Sequence, residues 1–498
     1  MKVIKNLSLV ALFLGTVVTA QQKNELHDRG FWKSNPSVAI VKQKIAEGND
    51  PVASNDNAFD ATTFALMGKA SVDVIAYLLS LDGNAVDKKT HDSRIYLHWA
   101  GYAGNEEVVN YLLEQGSSVT ALDSHQFTPL AFAANAGLTN PAIYNAFEGK
   151  GVDLAKEKND HGANLLLMAA PSIKNEEELN FFLSKGLALE SKDDDGNGIF
   201  NYAVKKGNID FLKLLVSKGV DYKSLNKEGG NAFLFATQGG RGYSNPLPVY
   251  EYLKSLGLEP NVVTKTGTTP LHRLAAGNKD LDIFKFFLAA GVNVNQKDEM
   301  GNTPFLNAAS RNDLAIVELL GENVKNYNLA NNDGQTALML AVENNDPNVV
   351  DYLLKNGADA SVKDAEGNSL AYYLAASHNS RKPQNFDAKL QSLKEQGVAF
   401  NTVQAGNNTL LHIAAKNNDL ELLKKLDSFN IAINAKNNEG LTALHLAAMK
   451  AENDRMLKYL VSKGADTKIT TDFEETVYDL ASENEVLAKG QTSLNFLK

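Results

Sequence analysis

Apolar residues fall in short bursts along this chain, at helical spacing, and the bursts come in pairs separated by polar turns. Residues 268–301, TTPLHRLAAGNKDLDIFKFFLAAGVNVNQKDEMG, contain one complete pair. Thr269 is a good helix N-cap and Pro270 fits the first helical position, where its missing N–H is no loss, so a short helix starts here. The apolar run breaks at Asn278 and Lys279. Asp280 can then cap a second helix, in which Ile283, Phe284, Phe287 and Leu288 recur at helical spacing. Gly291 suits the left-handed residue that ends a helix, and the alternating stretch closing on Gly301 suits a hairpin. Neither helix is long enough to stand alone, and the pair cannot cover its own apolar face, so the unit needs copies of itself on both sides.

The copies are present. With Leu271 as phase marker, the equivalent residues are Phe64, Leu97, Leu130, Leu166, Phe200, Phe233, Leu271, Phe305, Leu338, Ala371, Leu411, Leu444 and Tyr478. They lie 33, 33, 36, 34, 33, 38, 34, 33, 33, 40, 33 and 34 residues apart. A sustained period of about 33 is the mark of one solenoid class. Thr269-Pro270-Leu271-His272, Leu411-His412-Ile413-Ala414-Ala415 and Thr442-Ala443-Leu444-His445-Leu446-Ala447-Ala448 closely resemble the ankyrin repeat, over about residues 58–490. The resemblance implies an all-α solenoid of paired antiparallel helices with β-hairpin fingers. Some copies, such as Gly198-Ile199-Phe200-Asn201 and Asn231-Ala232-Phe233-Leu234, keep the size pattern without the letters.

The ends of the chain read differently. Residues 1–20 combine Lys2 and Lys5, an apolar core over 7–18 and a small-residue Val18-Thr19-Ala20 site, the pattern of a secretory signal. The apolar run is too short to span a membrane, and no later segment could. Residues 21–57 lack the phase marker and read as an N-terminal half-repeat cap, with Val38, Val41 and Ile45 as its stripe. About twelve repeats then fill 58–475, and 476–498 close the array. Export to the periplasm, or alternatively secretion, is therefore expected, and the absence of cysteine fits an oxidising compartment.

Net charge is −10, and −12 without the two lysines of the signal. An acidic chain whose basic runs, Arg381-Lys382 and Lys424-Lys425, are short and isolated has no face for nucleic acid. Three over-long copies place their extra residues at 138–141, 239–246 and 378–383, all between first and second helix, through loop growth or as a second contact ridge.

Candidate chemistry is sparse. His98, His272, His412 and His445 share one slot beside the phase marker, which the resemblance makes structural. His91, His125 and His161 fall in three consecutive hairpins, yet packed helices stand ~8–10 Å apart, too far for in-register ligands to share one zinc. Asp193-Asp194-Asp195-Gly196-Asn197-Gly198 resembles the first half of a calcium loop, but Val204 stands where the bidentate Glu belongs. No nucleophile elbow, metalloprotease helix or phosphate loop occurs, so no catalytic residue, metal or cofactor is expected.

Function must then lie in the repeat surface. Family resemblance implies that hairpin tips and first helices line a concave groove that binds a protein or peptide, here by a monomer that inserts in no membrane. The two groove-facing positions at the end of each first helix hold Tyr102, Asn135, Lys205, Lys206, Gln238, Ser310, Arg311, Glu343, Asn344, Lys416 and Asn417. Their variety fits contact with different parts of one partner, as it also fits unconstrained solvent-facing sites. Hairpin residues His91, Asp92, His125, Gln126, Phe127 and His161 join Tyr102 in the N-terminal copies, where exposed aromatics favour binding. Trp99 and Phe132 read as core. An exported scaffold is the expected function, with a secreted effector or enzyme inhibitor as alternative. A metal-dependent hydrolase on the hairpin histidines and a purely structural spacer are the readings from other classes.

Overall fold

The computed structural model describes residues 24–240 and 242–498. The expected signal over 1–20, and Arg241 in the second insertion, lie outside the described residues. The chain divides into two compact units, the first ending at Asp194 and the second running Asp195–Lys498.

In the first unit four helix pairs follow one another. Their first helices are Ala61–Met67, Tyr96–Ala103, Pro129–Asn135 and Leu165–Ala169, and their second helices Val72–Leu79, Glu106–Glu114, Pro141–Glu148 and Glu176–Ser184. Each first helix packs on the next. Two further helices, Arg29–Lys33 and Val38–Ala46, pack on the first and second helix of the leading pair, with Trp32 fully buried and its indole N–H donating to Leu26 O at 2.8 Å. Among its described residues the second unit repeats the plan nine times, from Ile199–Ala203 to the pair Val477–Glu483 and Glu485–Lys489. Of the thirteen phase markers, all but Tyr478 are buried. Tyr478 is half-buried under the Lys498 ammonium, 4.8 Å from its ring centre. No helix among the described residues is long and apolar enough to cross a membrane.

The unit at 268–301 has the caps its residues call for. Thr269 caps Pro270–Ala275, and the Asp280 carboxylate accepts the Asp282 and Ile283 N–H groups at the start of Leu281–Ala289. Ile283, Phe284 and Phe287 are buried, whereas Leu288 is only half-buried.

The fingers differ from the expectation of β-hairpins. Among the described residues there is no strand, only isolated bridges such as Ala330 to Thr336 and Thr470 to Thr476. Each finger is instead a five-residue turn closed by its own first residue. In residues 298–302 the Asp298 N–H donates to Asn302 O at 2.9 Å, while Asp298 Oδ1 accepts the Met300 and Asn302 N–H groups. The chain turns back after too few residues to build a ladder. The fourth residue must be left-handed, and Gly301 sits at φ +75, where a Cβ would lie 2.5 Å from Asn332 Oδ1. Many adjacent fingers are joined by one backbone bond, as from Asn332 N to Met300 O and from Ser124 N to Asp92 O.

The third insertion is partly absorbed into a longer second helix, Pro383–Glu395. It carries a buried amine: Lys389 Nζ donates to Val342 O at 2.7 Å, and burial pushes its pKa down to about 8.

His98, His272, His412 and His445 are buried alike. In each ring Nδ1 faces the backbone N–H that opens its own helix, at 3.0–3.2 Å, and Nε2 lies 2.9–3.1 Å from a carbonyl oxygen farther along the chain, that of Phe127, Asn302, Leu441 or Ile469. The neutral ring protonated on Nε2 satisfies both contacts, whereas a proton on Nδ1 would meet a donor. Burial pulls all four imidazoles below the ordinary 6.5, against the carbonyl contact that raises them. The unfolded chain therefore takes up these protons first. Their stabilising share is full above about pH 6.5 and is lost as pH falls from there through the lowered native values, at up to ~1.4 kcal/mol per histidine per pH unit. The melting temperature should fall between about pH 7.5 and about pH 5.5, where carboxylates remain ionised. A flat profile across that window would contradict the assignment.

Candidate functional site

In the first unit the fingers at 90–94 and 123–127 and the helices Tyr96–Ala103 and Pro129–Asn135 bring charges and rings together. Arg94 is the centre. Its Nε lies 2.8 Å from Asp123 Oδ2 and its NH1 2.9 Å from Asp92 Oδ2, while its guanidinium lies 4.2 Å from the centre of the Phe132 ring and 5.3 Å from that of Trp99. The Asp123 side chain is fully buried, and its other oxygen accepts the His125 and Phe127 N–H groups that close the finger. One cation thus pins two fingers and two rings.

On this base sits a ledge. Tyr102, 52% exposed, stacks on Phe132 with ring centres 5.8 Å apart and planes 22° apart, and meets Trp99 edge-on at 6.2 Å. Phe127 is half-buried, its ring centre 6.5 Å from that of Phe132. Asp92, its side chain 30% exposed, also sets Oδ2 between two imidazoles, 3.4 Å from His91 Nε2 and 3.5 Å from His125 Nε2. The His91 ring stacks on Phe59 at 4.6 Å and its Nδ1 reaches Asn57 O at 3.0 Å, whereas the His125 side chain is 60% exposed. With both imidazoles neutral, two carboxylates and one guanidinium leave the cluster one negative charge.

The backbone of these fingers is strained. Most later fingers place glycine in the left-handed fourth position, with Asn407 (φ 59) and Glu474 (φ 64) as exceptions, whereas the first three in succession place Ala58 (φ 57), Ser93 (φ 58) and Gln126 (φ 62), and Asp92 itself has φ 55. Side chains are held in this region at a cost of order 1 kcal/mol each, and such outliers concentrate where a surface is used.

The other residues singled out from sequence lie apart from this cluster. Asn135 is exposed at the end of its helix. His161 is exposed on the finger at 159–163, 3.8 Å from Asp160, with neither Arg94 nor the ring ledge beside it. Lys205 and Arg311 belong to the second unit. The Lys205 ammonium lies 4.4 Å from the Tyr202 ring centre and 5.7 Å from that of Phe235, and Arg311 is exposed at the end of Pro304–Arg311. Lys416 and Asn417, with Glu366 and Tyr372, line a cavity of about 390 Å³ beside the finger at 404–408. Among the described residues no group of three or more His, Asp or Glu is arranged to hold a metal ion.

Phe132 differs from its sequence reading. It is half-buried and forms the floor under Tyr102, because the small residues Ala133 and Ala134 take the helix-facing positions and leave its ring between two copies. The sequence reading does not reach Arg94, Asp123 or Phe59. The available signal was Arg94 in a closing-turn position and Trp99 and Phe132 two places after consecutive phase markers, a stack of aromatics one period apart.

A model of the family described as ankyrin repeats (3 copies) matches residues 243–328, 271–364 and 373–471, and a model of the single ankyrin repeat matches 95–124, together about half of the chain. A BRCA1-associated RING domain protein 1 of Caenorhabditis elegans is 35% identical over 112 residues, 22% of this chain and 15% of that protein. Palmitoyltransferase AKR1 of Debaryomyces hansenii is 29% identical over 120 residues, 23% of this chain and 14% of that protein. The chain thus spans about a seventh of the length of these curated relatives. A solved structure of a predatory endopeptidase from Bdellovibrio bacteriovorus in complex with an immunity protein matches 38% of this chain and 96% of the solved chain, at 20% identity and a TM-score of 0.31. Repeats matched by family models, stacked helix pairs with no strand among the described residues and the buried Thr269-Pro270-Leu271-His272 cap agree: the chain belongs to the ankyrin-repeat proteins, whose repeats are scaffolds for protein–protein interaction.

Proposed function

We propose that this is an exported, non-catalytic scaffold, acting as a monomer, that grips a protein or peptide partner through the finger tips and first helices of its first unit. Export, to the periplasm or alternatively beyond the cell, rests on the pattern of residues 1–20. The observation that carries the binding site is the exposed Tyr102–Phe132 ledge beside the partly exposed carboxylate of Asp92, supported from below by Arg94. A rigid aromatic shelf gives contact area at little entropic cost. The net negative charge beside it suits a cation on the partner, an Arg or Lys lying over Tyr102 and reaching Asp92 between the two histidines.

Affinity capture from the native exported fraction tests this with the unaltered chain, Tyr102→Ala and His125→Ala. Recovery of the bound partner should drop about tenfold for Tyr102→Ala and by less for the peripheral His125→Ala. Equal recovery with all three would remove the site from this end of the chain.

A further inference from the structure

The second insertion encloses space in the second unit. Between the end of Ala232–Ala236, the loop that follows it and the end of Pro270–Ala275 lies a cavity of about 510 Å³. Its described lining includes two cations, Arg273 and Lys279, and no acid, in a chain whose acids outnumber its bases. Lys279 is already neutralised, its Nζ 2.7 Å from Asp313 Oδ1. Arg273 is not. Its NH1 donates to Leu234 O, and among the described residues no carboxylate pairs with it, although a guanidinium offers five N–H donors. The nearby Asp280 carboxylate is engaged by the N–H groups of its own helix. Burial disfavours the charged guanidinium, and no neighbouring charge opposes that penalty.

The position itself is unusual. Two places after the phase marker most copies hold an apolar or aromatic residue, such as Trp99, Phe132, Phe235, Leu340, Ile413 and Leu446, one holds Asn307, and Arg273 alone is charged. A half-buried cation in that slot, facing a cavity without acids, has room for an anion to complete it.

We infer that this cavity is a carboxylate-binding site, in which the Arg273 guanidinium grips the two oxygens of an acidic side chain or a peptide C-terminus while Tyr243, Tyr250 and Leu274 pack against the body of the residue. A planar guanidinium matches a carboxylate with two parallel hydrogen bonds. With Lys279 paired, the described lining carries one net positive charge, which balances a monoanion and under-compensates a phosphate dianion in an already acidic protein. The inference does not depend on the first-unit surface, and its test uses small probes in place of a partner.

The full chain is titrated, at constant ionic strength, with N-acetylglutamic acid α-methylamide for a side-chain carboxylate, N-acetylalanine for a terminal one, N-acetylglutamine methylamide as neutral control, and inorganic phosphate. Calorimetry and thermal melts read the result. One carboxylate should bind at least about tenfold more tightly than the neutral amide and than phosphate, and which one it is identifies the source. Arg273→Met should abolish that preference and, without ligand, melt at a higher temperature than the unaltered chain, since it removes a half-buried charge that no carboxylate offsets. Arg273→Lys keeps the charge, loses the fork and should weaken the carboxylate several-fold. Indifference to the probe's charge, tighter binding of phosphate, or an Arg273→Met variant that melts lower and keeps the preference would each overturn the site, the last by making Arg273 a mere cap for the Leu234 carbonyl.

Discussion

Replacing Arg94 by alanine is expected to loosen the fingers at 90–94 and 123–127 by ~3–5 kcal/mol and to abolish partner capture. The reason is an asymmetry of burial. The Arg94 side chain is 10% exposed and that of Asp123 not at all, so truncation leaves a carboxylate in the interior with only the His125 and Phe127 N–H groups to hold it. The same change removes the cation from above the Phe132 ring and frees Asp92 to swing, so the floor and the partly exposed acid of the ledge are lost together. Repeat arrays do not unfold as one unit, so the measurement is hydrogen exchange of the helices Tyr96–Ala103 and Pro129–Asn135. Arg94→Ala combined with Asp123→Asn should recover part of the protection, because the stranded charge is gone, while capture stays lost. Full protection in the single variant would mean that Asp123 is satisfied by its own finger.

The second large effect is expected at Phe287 in Leu281–Ala289. Its ring is fully buried, 5.7 Å from that of Phe233 at 79°, 5.4 Å from Tyr250 and 5.2 Å from Phe286. Phe287→Ala removes the ring against which two helices of the preceding copy close, and the cavity should cost ~3–5 kcal/mol. Since each copy is held by its neighbours, the loss should be local. Exchange protection should fall most in Ala232–Ala236, Leu247–Ser255 and Leu281–Ala289, and a uniform fall along the second unit would argue against nearest-neighbour stacking.

Much of this architecture is readable in the chain because its causes are local. Thr269 before Pro270, Asp280 before Leu281 and Gly291 after Ala290 act within one turn of themselves, and the period needs only apolar size at Leu271 and its equivalents. The histidine slot is legible for the same reason: Nδ1 bonds the start of its own helix. What escapes a sequence reading depends on geometry between copies. The pair of Arg94 with Asp123 spans 29 residues, and the exposure of Phe132 follows from where the neighbouring Trp99 and Tyr102 rings sit. The fingers read as hairpins because polar alternation before a glycine suits both a strand pair and a closed five-residue turn. That Ser93 and Gln126 take glycine's conformation is invisible to composition, since nothing in the letters forbids an extended backbone there. Arg273 likewise reads as one more surface base until the cavity beside it is seen to hold no acid.

The central claim is that the working part of this protein is the face made by fingers and first helices. Hydrogen exchange of the full chain, alone and with the captured partner bound, tests it most directly. New protection at residues 90–94 and 123–127 and at the ends of Tyr96–Ala103 and Pro129–Asn135 is the result expected. Protection confined to the second helices, such as Glu106–Glu114 and Pro141–Glu148, would contradict it.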